Sequence, residues 1–201
     1  MVETIRLIIK DVLKAIYQPF VFALVLSVFV MFFVMYLDKY KEYKVKQKLK
    51  KAFKEWGKRF KESVEFRRLF YLIFFCVMIL FRTLMNRDMW TNPIVDVIGT
   101  WGLHKKDGTF TAELFENTLL FVPLIFFLFF YLEKTAKKVS KFLPVMGKAI
   151  ASAFLFSLTI EVLQLFLHVG TWQLSDLCFN TLGGLIGGFI YWISVKVRGI
   201  K

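Results

Sequence analysis

Phe20–Leu37 reads FVFALVLSVFVMFFVMYL, 18 residues without a charged side chain. About 20 apolar residues, rising 1.5 Å each, cross the hydrocarbon layer of a bilayer, so a run this long and uniform is a membrane span. Arg6, Lys10, Asp11 and Lys14 precede it and no small-residue cleavage site follows, so the run is expected to be retained and not removed as a leader. Outward from it, apolar runs place four more spans at about 68–85, 114–132, 145–168 and 176–195. The expected fold is an all-α, polytopic membrane helix bundle of about five transmembrane helices with one or two interfacial amphipathic helices. The composition agrees: 57% of residues are hydrophobic and 25 are Phe, against roughly 45–50% apolar in a soluble domain.

The net charge is +13. In a soluble chain that excess would suggest nucleic acid, but here the Lys and Arg lie between apolar runs, where they set topology and meet anionic lipid. No nucleic-acid partner is implied. Basic residues crowd segment 38–67 from Lys39 to Arg67, segment 133–144 (Lys134, Lys137, Lys138, Lys141) and the tail (Lys196, Arg198, Lys201), while 86–113 and 169–175 are poor in them. Cytoplasmic loops carry the Lys/Arg excess. Five alternating spans then put the N-terminus outside and the C-terminus in the cytoplasm.

Two segments look interfacial. In 1–17, Ile5, Ile8, Ile9, Val12 and Ile16 recur at helical spacing before Pro19, which is expected to break the pattern. In 41–66, Val45, Leu49, Phe53, Trp56 and Phe60 form an apolar stripe among lysines, as in a basic helix lying on a membrane. The chain divides into an interfacial helix (1–17), a first span with its basic cytoplasmic segment (18–67) and a four-helix membrane domain (68–196).

The later apolar runs are too short to span alone: 15 residues in Thr118–Leu132, 12 in Ala149–Ile160 and 14 in Thr181–Ser194. Reaching about 20 residues draws in Asn117 and Glu116, then Glu161 and Gln164, then Asn180 and Asp176. The second span ends near Arg82, Asn86 and Arg87. Under the alternation above, all these groups lie at similar depth near the outer ends of four helices, with Glu161 roughly 10 Å below its helix end. An ionisable group at such depth faces the protein interior and needs a partner. An Arg82–Glu161 ion pair is the expected one, although Arg82 could instead snorkel, and Asn117 or Asp176 could simply cap a helix. Asp176, Asn180, Gly184 and Gly188 are four apart, with Gly183 and Gly187 beside them. Small residues so spaced let another helix approach, including one from a second copy of the chain.

Cys76 and Cys178 sit within apolar runs, and His104 and His168 are isolated. No disulfide framework, metal site or cofactor follows from them. No nucleophile elbow or phosphate loop is present, and Ser157, Thr159 and Ser175 lack a base at recognisable spacing.

The stretches FRTLMNR (81–87), WTNP (90–93), FENTLLFVPL (115–124), SLTIEVLQLF (157–166) and DLCFNTLGGLIGG (176–188) resemble the VanZ-like membrane proteins. That family is named for a teicoplanin-resistance protein of Gram-positive bacteria. The resemblance covers roughly 70–190 and carries the family's Asn onto Asn117, its Glu and Gln onto Glu161 and Gln164, and its Asp and Asn onto Asp176 and Asn180. It departs at Leu124, and at Gln173, where family members often carry an acid. It implies a bacterial cell-envelope protein linked to lowered lipoglycopeptide susceptibility, with no assigned reaction.

Three readings of function follow. In the first, Arg82, Arg87, Asn117, Gln164 and Asn180 bind the headgroup of an envelope lipid, a polyprenyl-linked precursor or a glycolipid. Glu161 and Asp176 are then the candidate acid–base groups. In the second, the polar cluster only holds the bundle together. In the third, the protein is a transporter or flippase, which would require polar lining through the full depth or an internal repeat. Neither is visible in the sequence.

Overall fold

The computed structural model describes residues 2–39, 45–89, 91–133 and 141–199. Lys41, Lys44, Lys134, Lys137, Lys138 and Lys201 of the basic segments, and Trp90 of WTNP, lie outside the described residues, as do the side chains of Lys39, Val45 and Leu49. The elements are α1 (Val2–Lys39), α2 (Val45–Glu62), α3 (Val64–Leu80) with a π-helical turn at Phe81–Met85, α4 (Glu113–Leu132), α5 (Phe142–Leu167) and α6 (Leu174–Val197). Five of these, α2 excepted, are long and apolar enough to cross a membrane. Their most apolar windows are only 28–44% buried within the protein. Apolar surface left uncovered on that scale belongs against lipid, because a water-soluble monomer rarely exposes large contiguous apolar patches. The chain is a multi-pass membrane protein.

Pro19 does not end a helix. α1 runs unbroken through it for 38 residues, so the expected boundary between an interfacial helix at 1–17 and the first span is corrected to one continuous helix. Proline is tolerated inside a membrane helix because neighbouring groups re-satisfy the freed carbonyl. Here Pro19 is almost fully buried; beside it the Gln18 side-chain Oε1, not the freed carbonyl, accepts a hydrogen bond from Asn86 Nδ2 at 3.2 Å. At 1.5 Å per residue, α1 is about 57 Å long, well beyond one hydrocarbon thickness, so it projects past the bundle.

The basic helix forms where its stripe predicts. The α2 side chains Trp56 and Phe60 stack at 5.1 Å and meet Phe70 of α3 edge-on, while Phe53 meets Phe32 of α1. Lys54, Lys58 and Lys61 on the other face stay exposed. The α2–α3 joint is capped from both sides. Ser63 Oγ accepts from Phe66 N at 3.2 Å, and Arg67 Nη1 donates to Phe60 O and Lys61 O at 2.9 and 2.7 Å, filling backbone groups a helix end leaves open.

α6 is wedged between α4 and α5, and its glycines are the reason. A Cβ at Gly183 or Gly187 would collide with the α4 carbonyl of Thr118 or Val122, and one at Gly184 or Gly188 with the α5 methyls of Ala153 or Ala149. The seam expected to admit a second copy is therefore filled within the chain. At one end of the bundle, Glu133, the residue that caps α4, takes Arg68 of α3 at 3.1 Å and Arg198 beyond α6 at 2.8 Å, and both guanidinium groups lie over Phe130. The opposite end carries loop 86–112 and turn 168–173.

Candidate functional site

At that opposite end the loop and turn are stitched together by backbone bonds: Gly170 N to Asp88 O, Trp172 N to Pro93 O, and Leu174 N to Val97 O, each 2.8 Å. Met89 and Val169 form an isolated antiparallel bridge. The turn is possible because His168 (φ 54°) ends α5 in the left-handed conformation and Gly170 (φ 67°) follows. Within the loop, a small hairpin pairs His104 with Phe110 and turns at Gly108.

Every residue expected at the site faces this end. Asp176, in the first turn of α6 where a helix dipole favours an anion, is bound from two sides: Asn117 Nδ2 of α4 donates to Oδ1 at 2.7 Å, and Arg87 Nη2 lies 3.5 Å from Oδ2. One turn deeper, Asn180 Nδ2 donates to Ser157 Oγ of α5 at 2.8 Å. Gln164 Nε2 donates to Thr83 O in the π-turn of α3 at 2.8 Å. Glu161, 1% exposed, accepts from the backbone N–H of Gln173 at 3.0 Å. Neither Asn117 nor Asp176 is a cap; both are spent on α4–α6 pairing.

The expected Arg82–Glu161 ion pair is not formed. Arg82 Nη2 pairs with Glu116 Oε2 of α4. Among the described residues no cation lies within ion-pair distance of Glu161. Arg82 stands on the π-turn, whose widened pitch re-aims side chains and recurs at functional sites, and the turn directs it toward α4 instead of α5. Counting apolar run lengths draws Glu116 into the membrane but cannot show which helix faces Arg82. Ser157, dismissed as a nucleophile for want of a base, proves to be the hydrogen-bond partner of Asn180.

Above this buried layer is a cavity of about 560 Å³, bounded by Asn86, Arg87, Asp88, Asp96, Lys105, Lys106, Asp107, Glu113, Gly170 and Gln173 among others. Arg87 and Gln173 belong to both levels. Each bounds the cavity and touches an acid beneath it, Asp176 and Glu161 respectively. The other two cations on the walls are paired, Lys105 with Glu113 at 3.3 Å and Lys106 with Asp96 at 2.6 Å. Among the described residues, three buried polar atoms of α5 and of the segment entering α6 have no hydrogen-bond partner: Gln164 Oε1, Gln173 Oε1 and Ser175 Oγ. Gly99 (φ 73°) leaves room for two of these, since a Cβ there would strike Ser175 Oγ and sit 2.9 Å from Gln173 Oε1. The loop residues of the cavity carry no periodicity, which is why reading the spans passes over them.

A bundle of five membrane helices, closed at one end by a stitched loop over buried acids and amides, defines a polytopic membrane protein with a polar site at a membrane face. The chain belongs to the VanZ/LLP1 family, whose model matches residues 20–195. It is 28% identical over 109 residues to Protein VanZ of Enterococcus faecium, an alignment covering 50% of this chain and 62% of that protein. The match thus spans less than two thirds of that relative's length. No solved structure matches the chain.

Proposed function

We propose that this VanZ-family protein binds the polar headgroup of an envelope lipid or lipid-linked cell-wall precursor in the loop-end cavity, on the outer leaflet, and thereby lowers teicoplanin susceptibility. The observation that carries the reading is Arg87. It bounds the cavity and lies 3.5 Å from the buried Asp176, a separation longer than an ordinary hydrogen bond. A guanidinium has five N–H donors, so donors remain for a phosphate entering the cavity while the carboxylate holds the group in place. Family membership supports the link to teicoplanin, and the basic segments at the other end support the outer placement through the positive-inside rule.

The test is lipid co-purified with the intact protein, set beside teicoplanin susceptibility of the expressing host. Arg87→Gln removes a charge-assisted contact, which corresponds to about a tenfold fall in retained lipid, and susceptibility should rise with it. Unchanged lipid and unchanged susceptibility in Arg87→Gln and Asp176→Asn would sink the proposal.

A second reading has an observation of its own. The deeper bonds, Asn117–Asp176 and Asn180–Ser157, are satisfied inside the protein, as they would be if the polar layer only held α4, α5 and α6 in register. That reading requires Glu161→Gln to lose stability and resistance together. A stably folded Glu161→Gln protein without resistance excludes it.

A further inference from the structure

We propose that residues 94–101 of the loop form a foot that sinks into the boundary between headgroups and acyl chains, in whichever leaflet this end of the bundle meets. The partner of that surface is lipid, and the inference stands on residues the headgroup reading does not use. Segment 97–104, VIGTWGLH, has no Asp, Glu, Lys or Arg. Ile94, Val97, Ile98 and Trp101 are all exposed, Ile98 to 63%. The one charged residue between Asp88 and Lys105 is Asp96, and it pairs with Lys106 at 2.6 Å on the cavity wall. A connection bathed in water turns polar side chains outward. This one gives its polar side chains, Asp96 and Thr100, to the cavity and leaves a run of large apolar ones outside, the mark of an interaction surface.

Exposure alone does not name the partner; depth does. Leu174 N donates to Val97 O at 2.8 Å and Ser175 N to Ile98 O at 3.3 Å, so the segment crosses the first turn of α6. The backbone of Gly99 presses on that turn, where a Cβ would strike Ser175 Oγ. Two residues on, Trp101 meets Phe179 of α6 edge-on at 5.5 Å. Its indole N–H donates to Ile98 O at 3.1 Å and needs no water. Phe179 stands five residues past Leu174, the start of α6, which is about 7 Å down the helix axis. With 24 residues, α6 is about 36 Å long, only about 6 Å more than the hydrocarbon layer. A helix centred in that layer puts Phe179 just inside its edge and the Trp101 ring at the level where tryptophan concentrates. That depth agrees with the roughly 5–10 Å to which interfacial apolar segments sink. The surface is also continuous with one that lipid already covers. Leu174, Cys178, Leu182, Ile186 and Ile190 are exposed four residues apart along the outer face of α6, and Leu174, at the head of that stripe, is the residue bonded to Val97. Because Asp96 and Thr100 bound the cavity, a seated foot holds that wall at headgroup level.

The experiment uses the full chain, with Cys76→Ala and Cys178→Ala, in liposomes of phosphatidylglycerol and phosphatidylethanolamine. A nitroxide label is placed in turn at Ile98→Cys, at Leu182→Cys on the lipid face of α6 and at Asp107→Cys on the hairpin tip, all exposed positions where a label leaves the packing intact. Power-saturation EPR then reads collisions with oxygen, which dissolves in acyl chains, and with a nickel chelate, which stays in water. Leu182 and Asp107 set the two limits, and the oxygen-to-nickel ratio at Ile98 should lie nearer that of Leu182. A ratio at Ile98 equal to that of Asp107 puts the segment in water and overturns the inference. Shielding of Ile98 from both reagents overturns it as well, because protein then covers the surface. Lipid retention by Arg87→Gln separates this result from the headgroup reading. A water-like Ile98 with retention still dependent on Arg87 removes the foot alone, and a lipid-like Ile98 with retention indifferent to Arg87 supports the foot and removes the headgroup reading.

Discussion

Arg82 and Glu161 stand at similar depth on helices that meet, and run lengths alone make them partners. The structure gives Arg82 to Glu116, which separates two stability predictions. Removing one member of a buried ion pair strands the other and costs about 3 kcal/mol. Arg82→Gln and Glu116→Gln should each lower the melting temperature in detergent clearly, and the double variant should recover about 1–3 kcal/mol relative to the sum. Arg82→Gln with Glu161→Gln should instead add within about 0.5 kcal/mol. A recovery for 82/161 as large as for 82/116 would show the pairing to be misassigned. Depth was legible because it follows from how many apolar residues separate a polar one from its helix end. Azimuth was not. Which acid reaches a given arginine depends on the rotation of α4 and α5 about α3, and on a π-turn that FRTLM does not announce.

Helix α6 shows what its spacing encodes. Its two adjacent glycine rows, 183/187 and 184/188, serve two different neighbours, α4 and α5. Asp176 and Asn180 continue the division above them, one bonding to α4 and the other to α5. The sequence displays the close-packing face but does not say whether it meets the same chain or another, since both demand small residues. Gly187→Ala should push α6 off the Val122 carbonyl, a backbone atom that cannot rotate away. Overpacking of this kind costs about 1–3 kcal/mol, and the variant should unfold earlier in a thermal scan. Gly57→Ala in α2 is the control. A Cβ there meets nothing within 4 Å, so the change should be neutral or stabilise by up to about 1 kcal/mol through helix propensity. A Gly187→Ala protein as stable as the Gly57→Ala control would mean that the close approach to the Val122 carbonyl does not govern the packing of α6. At Pro19 local chemistry misled, because a rule learned in water treats the missing N–H as a break, whereas in lipid the helix has no better alternative than to continue.

For the molecule as a whole, the division of labour runs along the membrane normal. One end carries the basic helix α2 and the Glu133 clasp, the other the stitched loop, the cavity and the buried acids. The headgroup proposal needs the second end to face outward, and the charge bias that argues for this has one adverse feature: residues 2–17 of α1, with Arg6, Lys10 and Lys14, extend toward that same end. Three basic residues oppose a larger set in the 38–67 segment and the tail, and orientation follows the overall Lys/Arg bias more than any one segment. The outward placement can be read directly. In a chain with Cys76→Ala and Cys178→Ala, a membrane-impermeant thiol reagent applied to whole cells should label Asp107→Cys at the hairpin tip and leave Lys54→Cys on α2 unlabelled until the cells are opened. Both sites are exposed, so a missing label reports sidedness and not burial. The reverse pattern would turn the cavity to the cytoplasm, where it has no access to outer-leaflet lipid, and the proposed function would have to be abandoned although the fold and the pairings stayed as they are.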